Sequence, residues 1–186
     1  MKPAVSVTSS GGLGNIKAAL RNLTRKQVYV GIPATTAMDR KRQLMTLAGA
    51  AKSKRRRMRF EGMAVTSAIN NAELMFILTQ GSPKHHTPPR PVVEPAIEDK
   101  QNSEAITHEL ELAGRAALEG KPEEVERHLN LAGVVATNKV KGWFVNSRNG
   151  WAPNRPSTIR RKGSSRPNID TGALRNAVTY VMGEKE

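Results

Sequence analysis

Cysteine is absent from the 186 residues. That excludes disulfide scaffolds, thiolate zinc fingers and cysteine nucleophiles, and it is compatible with a reducing compartment. Aromatic residues make up only 4% of the chain, so a core must be built mostly from Ala, Val, Leu, Ile and Met. No apolar run approaches the roughly 20 residues that a membrane helix needs. The opening MKPAVSVTSSGG lacks the apolar stretch of a secretory signal, and no membrane partner is expected. Acids are scarce as well: 16 Asp and Glu stand against 30 Lys and Arg, for a net charge of +14.

What is present is length enough for one core, and charge laid out in blocks. We expect residues 1–186 to form a single domain. Residues 36–62 hold nine Lys and Arg against Asp39 and Glu61, a local +7. Residues 142–175 hold seven against Asp170, a local +6. Between them, residues 94–127 carry ten acids against four bases, a local −6. A polycationic surface raises nucleic acid as a partner. Segregation of the signs argues instead for separate faces.

Along the chain, Leu13, Ile16, Leu20 and Leu23 recur at helical spacing, with Ser9 or Ser10 as cap. QVYVGI at 27–32 reads as a strand, with Val28 and Val30 on one face and Tyr29 on the other. Residues 36–62, with RKR at 40–42 and KRRRMR at 54–59, are too charged to bury. They are expected to form a basic insertion: an extended arm or long hairpin that orders on assembly.

The segment 71–78 reads as a helix capped by Asn71, and the proline-rich 82–91 as a stiff loop. Its pair His85-His86 lacks a third metal ligand at useful spacing. Pro95 is expected to open one long helix to Glu119, with Ile106, Leu110, Ala113 and Ala117 on its buried face. Gly120 stops it, and Pro122 opens a second helix with the stripe Val125, Leu129, Ala132, Ala136 and Val140. The short link predicts an antiparallel helical hairpin over 94–141. Glu123 and Glu124 sit where helix starts ordinarily carry acids. Residues 169–176 read as a capped turn, with Asp170 or Thr171 as the cap, and VTYVM at 178–182 as a strand pairing with QVYVGI. The expected class is α+β: a small twisted antiparallel sheet packed against a helical hairpin, with a long basic arm.

No nucleophile, base and oxyanion donors come together in the pattern. No catalytic, cofactor-binding or metal site is expected, and the chain does not read as an enzyme. The candidate residues are those of contact surfaces. Arg55, Arg56 and Arg57 represent one basic block, and Arg160 and Arg161 the other. Glu104, Glu109 and Glu111 represent the acidic helix. Trp143, Phe144 and Trp151 either close one end of the core or anchor a subunit seam.

Two stretches also resemble a known family. INNAELMFILTQGSP followed by PPRPVVEPAIED is similar to a segment of tailed-bacteriophage neck proteins, the group that joins heads to tails and completes tails. GWFVNSRNGWAPNRPSTIRRKGSSRPNIDTGALRNAVTYVM resembles the ending of the same family. The likeness covers residues 63–182, and more loosely the N-terminal helix and strand. This chain has Val92-Val93 where the family carries an aromatic residue after Arg-Pro, Asn168 where the family has Leu, and a larger basic insertion.

The resemblance implies a virion structural protein made in the host cytoplasm. It would form a six- or twelvefold homo-oligomeric ring at the neck, between portal and tail. Its neighbours would be other neck, portal-side and tail proteins, with transient contact to genomic DNA. In such a ring, acidic and basic faces of successive copies would meet. The other reading is a basic nucleic-acid-binding protein, acting as a monomer or small oligomer.

Overall fold

The computed structural model describes residues 12–33, 40–66 and 69–185. Helix α1 (Gly12–Arg25) runs directly into strand β1 (Lys26–Gly31). Helices α2 (Arg40–Gly49) and α3 (Lys54–Thr66) follow as a pair, and then α4 (Asn71–Gln80). The short α5 (Val93–Glu98) leads into the long α6 (Lys100–Leu118) and α7 (Pro122–Trp143). Two short helices, α8 (Pro156–Lys162) and α9 (Ala173–Ala177), precede strand β2 (Thr179–Glu184). The class is α+β, mostly helical, with one two-stranded antiparallel sheet.

The α6–α7 hairpin is the spine. Its turn is a Schellman motif: Gly120 N–H donates to Ala117 O and Lys121 N–H to Ala116 O, at 3.1 and 2.9 Å. Gly120 takes φ +70 there, a conformation that costs glycine nothing. All five predicted stripe residues of α7 are buried. On α6 the buried face is Ala113, Ala116 and Ala117, whose small side chains let the helices approach closely. Leu110, placed on that face by the sequence, is 43% exposed.

The sheet lies on α7. Lys26 pairs with Glu184 and Gly31 with Thr179 at the two ends of the ladder. A lone two-stranded ribbon is marginal in water, and this one is held by Tyr180. The Tyr180 ring packs on Gly133, where a Cβ would collide with it, and its hydroxyl donates to Asn130 Oδ1 at 3.1 Å. Tyr29 faces outward between half-buried Val28 and Val30, as the alternation predicted.

Apolar burial falls into three clusters. One gathers Met75, Val92, Ala96, Val140, Trp143, Phe144, Leu174 and Val178 from helices α4, α5, α7 and α9 and the positions beside them. The second lies between α6 and α7, with Ala19, Leu23 and Val28 packed on it. The third, Leu44, Ala48, Phe60 and Ala64, belongs to α2 and α3 alone.

Several expectations are corrected. The described part of 36–62 is not extended chain: Leu44 and Ala48 face Phe60 and Ala64, four residues apart on each helix, and zip α2 to α3. The helix predicted from Pro95 starts at Val93, with Pro95 still in the first turn where no donor is needed. It breaks at Asp99, which caps α6 by accepting from Asn102 N at 3.4 Å. The cap of α4 is Asn70, in a reciprocal capping box with Glu73. Asn71 is instead buried and donates to Gln43 Oε1 at 2.9 Å, tying α4 to α2. Gly172 occupies the cap of α9, and Thr171 Oγ1 accepts from Ala173 N at 3.1 Å. The expected caps Ser9 and Ser10 lie outside the described residues.

Candidate functional site

The stretch from Gln80 to Val93 is a folded joint. Gly81 ends α4 at φ +73, and a Cβ there would lie 2.7 Å from Pro89 N. Ser82 and Thr87 then exchange backbone hydrogen bonds, and Arg90 N–H returns to Leu78 O at 2.8 Å. The prolines after this turn present Arg90 inward, where it is 7% exposed. Its Nη2 donates to Ala152 O at 2.9 Å and Pro153 O at 3.4 Å. Asn168 Nδ2 donates to Arg90 O at 3.4 Å, and Trp151 Nε1 to Pro91 O at 3.0 Å. Burial holds the Arg90 guanidinium below its ordinary pKa. The joint therefore fastens the 80–93 stretch to the 151–168 stretch through one buried cation and its carbonyls.

Around this joint the two basic blocks meet. Arg59 of α3 bridges Asp170 at 2.5 Å, with both side chains largely covered. That bridge draws α3 toward α8. Arg55, Arg56 and Arg59 then face Arg160, Arg161 and Lys162 across an open hollow of about 360 Å³, which Gly163 also lines. None of the hollow's lining residues is acidic or carries an apolar side chain. Lys162 is held below its ordinary pKa, first by burial, with Asp170 acting in the opposite direction and Arg90, Arg59 and Arg161 adding to the lowering. Arg40 nearby is also lowered by burial, against the pull of Asp170. The hollow is a place where cations crowd, with Arg55, Arg56, Arg160 and Arg161 exposed and Arg59 and Lys162 half-buried.

Of the predicted contact residues, Arg55, Arg56, Arg160 and Arg161 are thus brought together. Arg57 is exposed. On a helix of 3.6 residues per turn it shares a side with Lys54, away from Arg55 and Arg59. Glu104 and Glu111 are exposed on the outer face of α6, beside Ser103, Thr107 and His108. Glu109 is not a free surface acid: its Oε2 lies 2.9 Å from His128 Nδ1, linking α6 to α7.

Of the aromatic trio, Trp143 and Phe144 take the core alternative and are corrected as subunit anchors, while Trp151 is half-buried. Trp143 and Phe144 are 5% and 1% exposed, inside the chain's own core. Trp151 packs edge-on against Phe144, with centroids 6.0 Å apart. Apolar residues at the end of a buried helical stripe stay with that stripe, whatever the charge of the loop that follows.

Sequence reasoning missed Arg59, Lys162 and Arg90 as the residues that build this region. Arg59 follows Arg55 by four, a helical signal masked by unbroken basic neighbours. His85 and His86 are exposed on the 3₁₀ turn and its end. Among the described residues, no group of three His, Asp or Glu is placed to hold a metal ion, and no helix is long and apolar enough to cross a membrane. Comparison with protein families, curated proteins and solved structures returns no match.

Proposed function

We propose that the chain is a structural subunit of a tailed-bacteriophage neck. It would form a ring between portal and tail, complete the head–tail joint and line the genome exit path. The observation that carries this reading is the meeting of the stretches that bear the family likeness. The 88–99 segment is fastened to the 142–182 segment through Arg90, Trp151 and Asn168, and Met75 of the 69–83 segment shares a buried cluster with Leu174 and Val178. Motifs far apart in sequence thereby act as one structural unit, which fits their recurrence together in one order.

Charge layout supports assembly. A closed ring of identical copies needs two different faces that fit each other. The outer face of α6, with Glu104 and Glu111, is acidic; Lys54 and Arg57, exposed on the side of α3 away from Arg55 and Arg59, are basic. Contact between them would steer the encounter and fix register more than supply affinity.

The direct experiment uses particles of the phage that encodes the chain. Cryo-electron microscopy should place a ring with the α6–α7 hairpin at the head–tail joint. Absence of the chain from purified, infectious particles would overturn the reading.

A further inference from the structure

We propose that the hollow between α3 and α8 binds the phosphodiester backbone of nucleic acid, without reading its sequence. This does not depend on the neck reading, since it follows from the hollow alone. Five arginines and Lys162 line it. Arg59 is answered by Asp170. Among the described residues, no acid forms an ion pair with Arg55, Arg56, Arg160 or Arg161.

Folding has brought like charges together from segments some hundred residues apart. A bound anion would relieve that repulsion. Arginine forks match phosphate oxygens two at a time, and the concave shape lets several donors converge on adjacent phosphates. The lining has neither an aromatic ring nor a carboxylate, so nothing in it accepts from a base amino group, and six crowded cations answer the phosphate charge first. The contact is therefore with the backbone, which positions but does not specify.

The lining also decides between two polyanions. An acidic protein surface ordinarily docks with apolar residues beside the charges, and the hollow has none. Trp143 and Phe144, at the start of the second basic block, are turned into the core. Lys54 and Arg57, on the other side of α3 from Arg55 and Arg59, are exposed and remain open to a protein neighbour.

The test compares two pairs of substitutions that remove equal charge from the full-length chain. Arg160→Ala with Arg161→Ala empties one wall of the hollow; Lys54→Ala with Arg57→Ala clears the opposite side of α3. Binding of a labelled random-sequence DNA duplex is followed by anisotropy over a range of salt. Each phosphate that is no longer neutralised should lower the slope of log affinity against log salt by about one. The hollow pair should therefore reduce the slope by about two, and the other pair should leave it unchanged.

Inorganic phosphate at matched ionic strength should compete better than chloride but far more weakly than DNA, since a single phosphate engages one fork and lacks the chain that spans the hollow. Arg160→Lys with Arg161→Lys keeps the charge and separates its loss from loss of the arginine fork. It should retain the salt slope. Equal losses from the two alanine pairs would show diffuse attraction and overturn the proposal. So would efficient competition by free phosphate, or a hollow pair that abolishes self-association while DNA binding stays intact.

Discussion

Gly133 and Tyr180 show how a single missing methyl positions the sheet. Alanine at 133 would drive a Cβ into the Tyr180 ring. We expect Gly133→Ala to cost about 1–3 kcal/mol through overpacking, read as a lower denaturation midpoint with an unchanged slope. The gain in helix propensity, about 1 kcal/mol, is the competing term, and a midpoint at or above the parent's would show that the ring moves aside freely. Arg90 is the corresponding polar residue. Arg90→Met keeps the bulk but leaves the carbonyls of Ala152 and Pro153 without their donor. Hydrogen bonds to a charged group contribute about 1.5–3 kcal/mol, so a loss in that range is expected by urea titration, and no loss would discount the joint. Asp170→Asn separates binding from stability. Removing the acid that answers Arg59 should cost about 1–3 kcal/mol, between an exposed and a buried pair, yet in the folded chain tighten DNA binding by leaving the hollow more positive. Weaker binding in a variant that remains folded would contradict the electrostatic account.

At the scale of elements, the parts legible in the sequence are those whose burial is written in one local period. The α7 stripe from Val125 to Val140 repeats every three or four residues and is buried as read. The QVYV alternation likewise gives the strand, with Tyr29 outward. The α2–α3 pair was not legible, because its four buried residues are outnumbered by cations and each helix buries only two of them. Neither helix has a local pattern strong enough to declare itself; the pairing does. Leu110 fails for a related reason, since the neighbouring alanines already fill the α6–α7 seam. The hollow was legible only in halves: two basic blocks, without the Arg59–Asp170 bridge that joins them. Because the α2–α3 cluster is separate, Phe60→Ala should loosen that pair alone. Trypsin should then cut faster within 54–59, while the near-ultraviolet signal of Trp143 and Trp151 stays constant. Loss of both together would mean that the pair is integral to the main core.

For the whole molecule, the account rests on charge placed on separate elements: acid on the outer face of α6, base on α3 and α8. The net +14 opposes self-association of like copies, so the proposed assembly would depend on opposite faces meeting. Exposed contacts of that kind weaken as salt shortens the Debye length from about 10 Å at 0.1 M to about 3 Å at 1 M. Glu109 is already engaged with His128, so the informative reversal is Glu104→Lys with Glu111→Lys. The most direct measurement is the molar mass of the purified chain by light scattering, with electron microscopy of the same sample, at low and at high salt. The account predicts closed rings at low salt that dissociate as salt rises, and no rings from the double reversal at either salt. A parent chain that remains monomeric at every concentration and salt, or a double reversal that closes rings as readily as the parent, would contradict it.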